Sequence, residues 1–139
     1  MNDPVSPPSP SRPLRWIVPI AALAAITLWR DPFVLVRGEF ARQRVAAGLS
    51  KGTVEAAGHR WTYAYRDADA VDAPVIVMVH GFTGSKENWY PLADELGGRY
   101  RLLIPDLPGW GESERKPGKV YGFPEQAANV AAFVRALSP

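Results

Sequence analysis

The side chains best suited to chemistry in this chain are two histidines, His59 and His80, an aspartate, Asp106, and a few serines. Nucleophilic catalysis by serine needs the hydroxyl beside a histidine and an acid in space, and one local signature of such a serine is Gly-x-Ser-x-Gly on a strained strand-to-helix turn. No serine here meets that pattern. Ser113 lies in Gly111-Glu112-Ser113-Glu114-Arg115 and lacks the second glycine, Ser85 lies in Thr83-Gly84-Ser85-Lys86-Glu87, and Ser138 is the penultimate residue. Cysteine is absent, which removes disulfides, thiolate chemistry and cysteine-ligated metals. The glycine pairs lack Gly-x-Gly-x-x-Gly spacing and no phosphate-loop lysine motif occurs, so no metal, nucleotide or other cofactor is expected. No catalytic nucleophile, acid or base is expected within the chain.

Two glycine-bearing loops remain, and each follows an apolar run. Pro74-Val-Ile-Val-Met-Val79 is continuous and rich in β-branched residues, the pattern of a strand covered on both faces, and it leads into His80-Gly81-Phe82-Thr83-Gly84-Ser85. A helix is expected next, with Trp89, Leu92, Ala93 and Leu96 on one face, Ser85 or Asn88 as its cap and Gly97-Gly98 as its stop. Arg101–Ile104 reads as a second buried strand, closed by Pro105-Asp-Leu-Pro-Gly-Trp-Gly111. A last helix starts near Pro124 and is expected to bury Ala127, Val130, Ala131, Val134 and Leu137. Upstream, Lys51–Ala56 and His59–Tyr65 meet at Ala57-Gly58. The alternation of Trp61, Tyr63 and Tyr65 with smaller residues makes this a hairpin. Strand–loop–helix repeated twice implies an α/β fold with right-handed crossovers and a mostly parallel sheet.

The front of the chain has another character. Five prolines within residues 1–13 and no apolar period read as a disordered tail. Leu14–Trp29 is apolar except for Arg15, with Trp16 and Trp29 where interfacial aromatics belong, so residues 14–31 read as a transmembrane anchor. A cleaved signal peptide ending at Ala22-Leu-Ala24 is the competing reading, and a buried soluble helix a third. In residues 32–50, Val36, Phe40, Val45 and Leu49 alternate with arginines, as in a basic amphipathic juxtamembrane helix or a solvated linker helix. Residues 1–60 carry eight basic against four acidic side chains, and residues 61–139 eight against ten. That asymmetry fits a membrane-proximal segment ahead of a soluble one, 51–139. Nucleic acid is not an expected partner, because the arginines are sparse and follow a long apolar run.

The string Val79-His80-Gly81-Phe82-Thr83-Gly84-Ser85-Lys86-Glu87-Asn88-Trp89, with Ile104-Pro105-Asp106-Leu107-Pro108-Gly109-Trp110-Gly111-Glu112-Ser113 after it, resembles the α/β-hydrolase superfamily. Within it, the anchor and the Gly58-His59-Arg60-Trp61 hairpin are similar to membrane-anchored esterases of the monoacylglycerol-lipase kind. The resemblance covers about residues 51–139 and implies the N-terminal portion of that fold. It implies hydrolysis of a small-molecule ester or lipid by a serine that lies beyond this chain. Epoxide hydrolase or haloalkane dehalogenase chemistry with an aspartate nucleophile stays open, as does an inactive membrane-anchored fragment. In the family, backbone N–H donors stabilise the oxyanion formed by attack on the carbonyl, and the carry-over makes Phe82 N–H the first donor. His80, Gly81, Thr83 and Gly84 form the substrate loop around it, where Gly81 leaves room for substrate or merely permits a tight turn. His80 is assigned to ordering that loop rather than to the base. Asp106 is assigned to shaping the loop after the strand. Trp110 and Phe123 line a pocket or pack. The resemblance also leaves Val75–Val79 at the sheet edge, an aggregation hazard. The expected location is a membrane, by a single N-terminal span of the bacterial inner-membrane type with the side of the hydrolase part open.

Overall fold

The computed structural model describes residues 14–138, so the proline-rich stretch 1–13 lies outside the described residues. These divide into two units, one ending at Gly38 and one beginning at Glu39.

The first unit is dominated by helix α1 (Leu14–Arg30), which contains Pro19 and ends on a basic residue. Its seventeen residues rise about 1.5 Å each, short of the ~30 Å of a hydrocarbon core. No single helix among the described residues is long and apolar enough to cross a membrane. α1 and α2 (Val34–Ala46) pass by length and composition only as a broken pair. The break is Asp31-Pro32-Phe33, where the Asp31 carboxylate accepts the Phe33 N–H at 3.1 Å and pairs with Arg37. Trp16 and Trp29 are 72% and 88% exposed.

In the second unit the chain leaves α2 through Gly48, at φ +63°, with the Leu49 N–H bonded to Arg44 O at 3.0 Å. That is a helix stop built on a left-handed glycine. Ala47 and Leu49 then enter the core. The sequence puts Leu49 on the apolar face of a juxtamembrane or linker helix, but it lies past the helix end and in the core beneath the sheet.

Strands β1 (Ser50–Ala56) and β2 (His59–Arg66) form the expected hairpin, with Ala56 opposite His59. Ala57 and Gly58 both take positive φ (51° and 71°), as a two-residue turn matching strand twist requires. β3 (Val75–Val77) and β4 (Arg101–Pro105) complete a sheet ordered β1-β2-β4-β3. Only β3–β4 is parallel, whereas β1–β2 and β2–β4 are antiparallel. The sheet is therefore mixed rather than mostly parallel, because the hairpin joins it through β2. β3 is shorter than the apolar run and half-exposed, since it has a neighbour on one side only.

Each face of the sheet has its own core. Leu102 and Ile104 of β4 meet Tyr90 and Ala93 of α3 (Tyr90–Leu96), together with Ala64 and Met78. Leu103 points the other way, to Trp61 and to Phe133 of α4 (Phe123–Leu137). Trp61 stacks on Phe133 with centroids 4.8 Å apart, and Tyr63 meets the same ring edge-on at 5.4 Å. Two faces deviate from the expected periodicity. Leu92 is 45% exposed, and α3 buries Tyr90 beside the expected Ala93. On α4, Ala127 and Ala131 are exposed, while Gln126 and Phe133 are buried with Val130, Val134 and Leu137 beside them. The large ring of Phe133 sets the helix rotation, so that Ala127 and Ala131 are exposed while Ala132 packs against the core.

Candidate active site

β3 delivers His80 to the edge of the sheet, where it is 4% exposed. Its Nε2 accepts the Leu107 N–H at 3.0 Å, which leaves the proton on Nδ1 for Gly81 O at 2.8 Å. Both ring nitrogens are thus committed to the two loops. Gly81 O also accepts the Gly84 N–H at 3.1 Å, closing the turn Gly81–Gly84 with Thr83 at φ +63°. That conformation is uncommon for a β-branched residue. A side chain at Gly84 would crowd His80 and Gly81 O, whereas Gly81 faces open space. Phe82 sits at the turn's outer corner with its ring 84% exposed, and its N–H donates to no group among the described residues. The sequence-derived loop residues His80, Gly81, Phe82, Thr83 and Gly84 are therefore one structural unit.

Beside this turn lies a cavity of about 750 Å³. The two loops wall it with Val79, Gly81, Phe82, Leu107 and Trp110, and α4 with Phe123, Gln126 and Val130. The rings of Phe82, Trp110 and Tyr121 follow one another edge to face at 6.2 Å and 5.9 Å. Trp110 and Phe123 do line a pocket, whose walls are mostly apolar, with His80, Tyr121 and Gln126 as the polar side chains among them. The Gln126 amide donates to Pro108 O at 2.9 Å and so ties α4 to the β4 loop.

Asp106 is fully buried and anchors that loop. Its Oδ1 accepts the Lys86 N–H at 2.8 Å, and its Oδ2 accepts Lys86 Nζ at 2.7 Å and the Glu112 N–H at 2.9 Å. Its backbone carbonyl accepts the Ser113 hydroxyl at 2.8 Å, and Ser113 Oγ in turn accepts the Thr62 N–H at 2.8 Å. Gly111, at φ +52°, packs so tightly on the carboxylate that any Cβ there would collide with it. The other two serines are also occupied structurally. Ser85 caps the 3₁₀ turn Lys86–Trp89 that precedes α3, its N–H bonded to Asn88 Oδ1 at 2.9 Å, and Ser138 Oγ bonds Val134 O.

Lys86 has no counterpart in the sequence reading. It is 1% exposed, with Nζ 2.7 Å from Asp106, 2.8 Å from Glu87 and 2.8 Å from Glu112. Burial alone pulls its pKa down, but the hydrogen bonds of the three carboxylates outweigh it and hold the ammonium above its ordinary value. Burial likewise pushes Glu87 and Glu112 up. Lys86, with Ser85 for Glu87 and Lys51 for Glu112, overrides that and holds both carboxyls below the usual range. A lysine directly after a helix cap reads locally as solvated, so no short-range signal marks it.

A mixed sheet whose β3 and β4 loops form an apolar cavity beside a free backbone N–H is the architecture of an α/β hydrolase. Residues 74–139 match the family model described as the alpha/beta hydrolase fold. Lipase 3 of Moraxella sp. is 35% identical over 86 residues, 62% of this chain and 26% of that protein. A solved membrane phospholipase A superimposes with a TM-score of 0.71 at 31% identity, over 93% of this chain and 41% of the other. A haloalkane dehalogenase from Agrobacterium tumefaciens gives a TM-score of 0.57 at 32% identity, over 66% and 31%. The chain belongs to the α/β-hydrolase superfamily, a family of enzymes. It spans about a quarter of the length of the curated relatives it matches.

Proposed function

We propose that this chain forms the oxyanion side of a carboxylic-ester hydrolase that acts on acyl chains at a membrane. The observation that carries the reading is the Phe82 N–H, without a partner among the described residues, at the mouth of a mostly apolar cavity beside the open space at Gly81. In this mechanism a serine oxygen supplied by residues outside the 139 bonds to the ester carbon and its proton passes to a histidine. The carbonyl π electrons move to the oxygen, which lies against Phe82 N–H and the N–H of the residue after the nucleophile. Collapse expels the alcohol, protonated by the histidine, and water then releases the acid. The lipase and phospholipase likenesses favour esters with long acyl chains, which the aromatic walls suit. His80 and Asp106 hold the loops and exchange no proton with substrate. The haloalkane dehalogenase likeness supports a second reading with aspartate as the nucleophile.

The test begins with the reading frame that follows Pro139. Ser in the elbow Gly-x-Ser-x-Gly supports the ester reading, and Asp in its place overturns it in favour of halide or epoxide chemistry. In a protein containing the serine, Phe82→Pro removes the N–H and is expected to lower kcat by roughly 10²–10³-fold with little change in KM. An unchanged kcat removes Phe82 from the mechanism. The 139-residue chain alone is expected to show no turnover of p-nitrophenyl butyrate, and real turnover would show that the site is complete.

The exposed apolar side chains of α1, α2 and the break between them, among them Trp16, Trp29, Phe33 and Leu35, support membrane association of residues 14–46, with residues 47–139 as the hydrolase part. Whether α1 spans or lies in the interface, the chain is expected to float with phospholipid vesicles. Trp16→Ala with Trp29→Ala should weaken that binding. A chain that stays in the aqueous fraction refutes it.

A further inference from the structure

The oxyanion loop is attached to the β4 loop at both of its ends, on two consecutive residues. His80, just before it, accepts the Leu107 N–H, and Lys86, just after it, donates both its N–H and its ammonium to Asp106. Between these points the turn Gly81–Gly84 has one internal backbone hydrogen bond and an unfavourable Thr83 conformation. A backbone in such a conformation persists only where its surroundings over-determine it. At the far end the Ser85 N–H bonds Asn88 Oδ1, which ties it to the 3₁₀ turn but not to the β4 loop. Lys86 closes that end with four hydrogen bonds or ion pairs from a single residue, to Asp106 twice and to Glu87 and Glu112. Nothing softer is available there, since the ammonium is sealed from water and Asp106 is locked in turn by Gly111 and the Glu112 N–H.

We propose that Lys86 is the positioning residue of this loop: its buried ammonium, clasped by Asp106, Glu87 and Glu112, sets the direction of the Phe82 N–H without touching substrate. This rests on Phe82 being the oxyanion donor, but the geometry it predicts is read without substrate, so the two ideas fail separately. A Lys86 that merely supports the fold would influence every part of the domain alike. A Lys86 that positions the loop influences Phe82 before it influences Phe133, which lies buried on the opposite face of the sheet.

The five phenylalanines make that contrast measurable. The full 139-residue chain, ¹⁵N-labelled at phenylalanine in detergent micelles, gives one amide peak per phenylalanine, with Phe82 assigned by its loss in Phe82→Leu. In Lys86→Met the Phe82 peak is expected to shift or broaden while the Phe133 peak keeps its position, and Lys86→Arg should return Phe82 close to its original place. Should Lys86→Met not fold, the charge-balanced pair Lys86→Met with Asp106→Asn is read in the same way. A Phe82 peak that stays in place in the folded variant, or that moves only in step with Phe133, overturns the proposal. So does a failure of Lys86→Arg to restore it.

Discussion

The ammonium of Lys86 among three carboxylates makes the stability of this domain a function of pH in a predictable direction. Glu87 and Glu112 are held below their ordinary 4.5, so the unfolded chain takes up protons first as the solution is acidified. Their contribution is full above about pH 5 and is lost as pH falls through the lower folded values. On the alkaline side, burial pushes the Tyr90 hydroxyl up to about 12, and Lys86 is held above its ordinary 10.5. Both groups keep protons in the folded state that the unfolded state gives up, so stability falls as pH rises beyond about 10. Urea midpoints are expected to be level between about pH 5 and pH 10 and to drop outside that range. A midpoint that keeps rising into acid would contradict the network. Phe82 and Asp106 were legible because their motifs place them at fixed steps after apolar strands. Lys86 was not, because its partners Asp106 and Glu112 lie twenty or more residues away and nothing local distinguishes a buried lysine from a solvated one. Removing one member of a buried pair of this kind costs about 3–5 kcal/mol, which explains how a charge can be fixed so firmly without a local signature.

Among the elements, α4 shows how packing overrides a count of small apolar residues. Its rotation is set by Phe133, stacked on Trp61, and by Gln126 bonded to Pro108 O, while Ala127 and Ala131 face outward. Phe133→Ala is expected to cost about 3–5 kcal/mol, the range for a buried ring that leaves a cavity. Ala131→Ser on the exposed face should stay within about 0.5 kcal/mol. Equal effects in chemical denaturation would mean that the helix is rotated from this placement. The position of the helix was readable from Pro124 and the apolar period, as was the core side of Val130, Val134 and Leu137; the placement of its alanines was not, since alanine fits either face. β1 and β2 were readable throughout, because alternation and a two-residue turn carry both the strand and its register.

At the scale of the sheet, β3 pairs only with β4, so Val75, 50% exposed, and Ile76 present an apolar strand edge. Edges of this kind recruit other strands. The chain is expected to self-associate with rising concentration, and Val75→Lys should shift sedimentation velocity toward the monomer. No change on adding that charge would show that association, if present, arises elsewhere. The strands, the hairpin and the two glycine loops followed from residue order alone, because turn geometry, strand alternation and backbone-permissive glycines act over a few neighbouring residues, and the motifs in those loops carried the resemblance to the α/β-hydrolase superfamily. The sheet's mixed pairing, the placement of the alanines on α4, and the tie between the loop after β3 and Asp106 through the buried Lys86 depended on long-range contacts. Those contacts compete for a limited interior, and volume and charge pairing settle the competition only once the chain has folded.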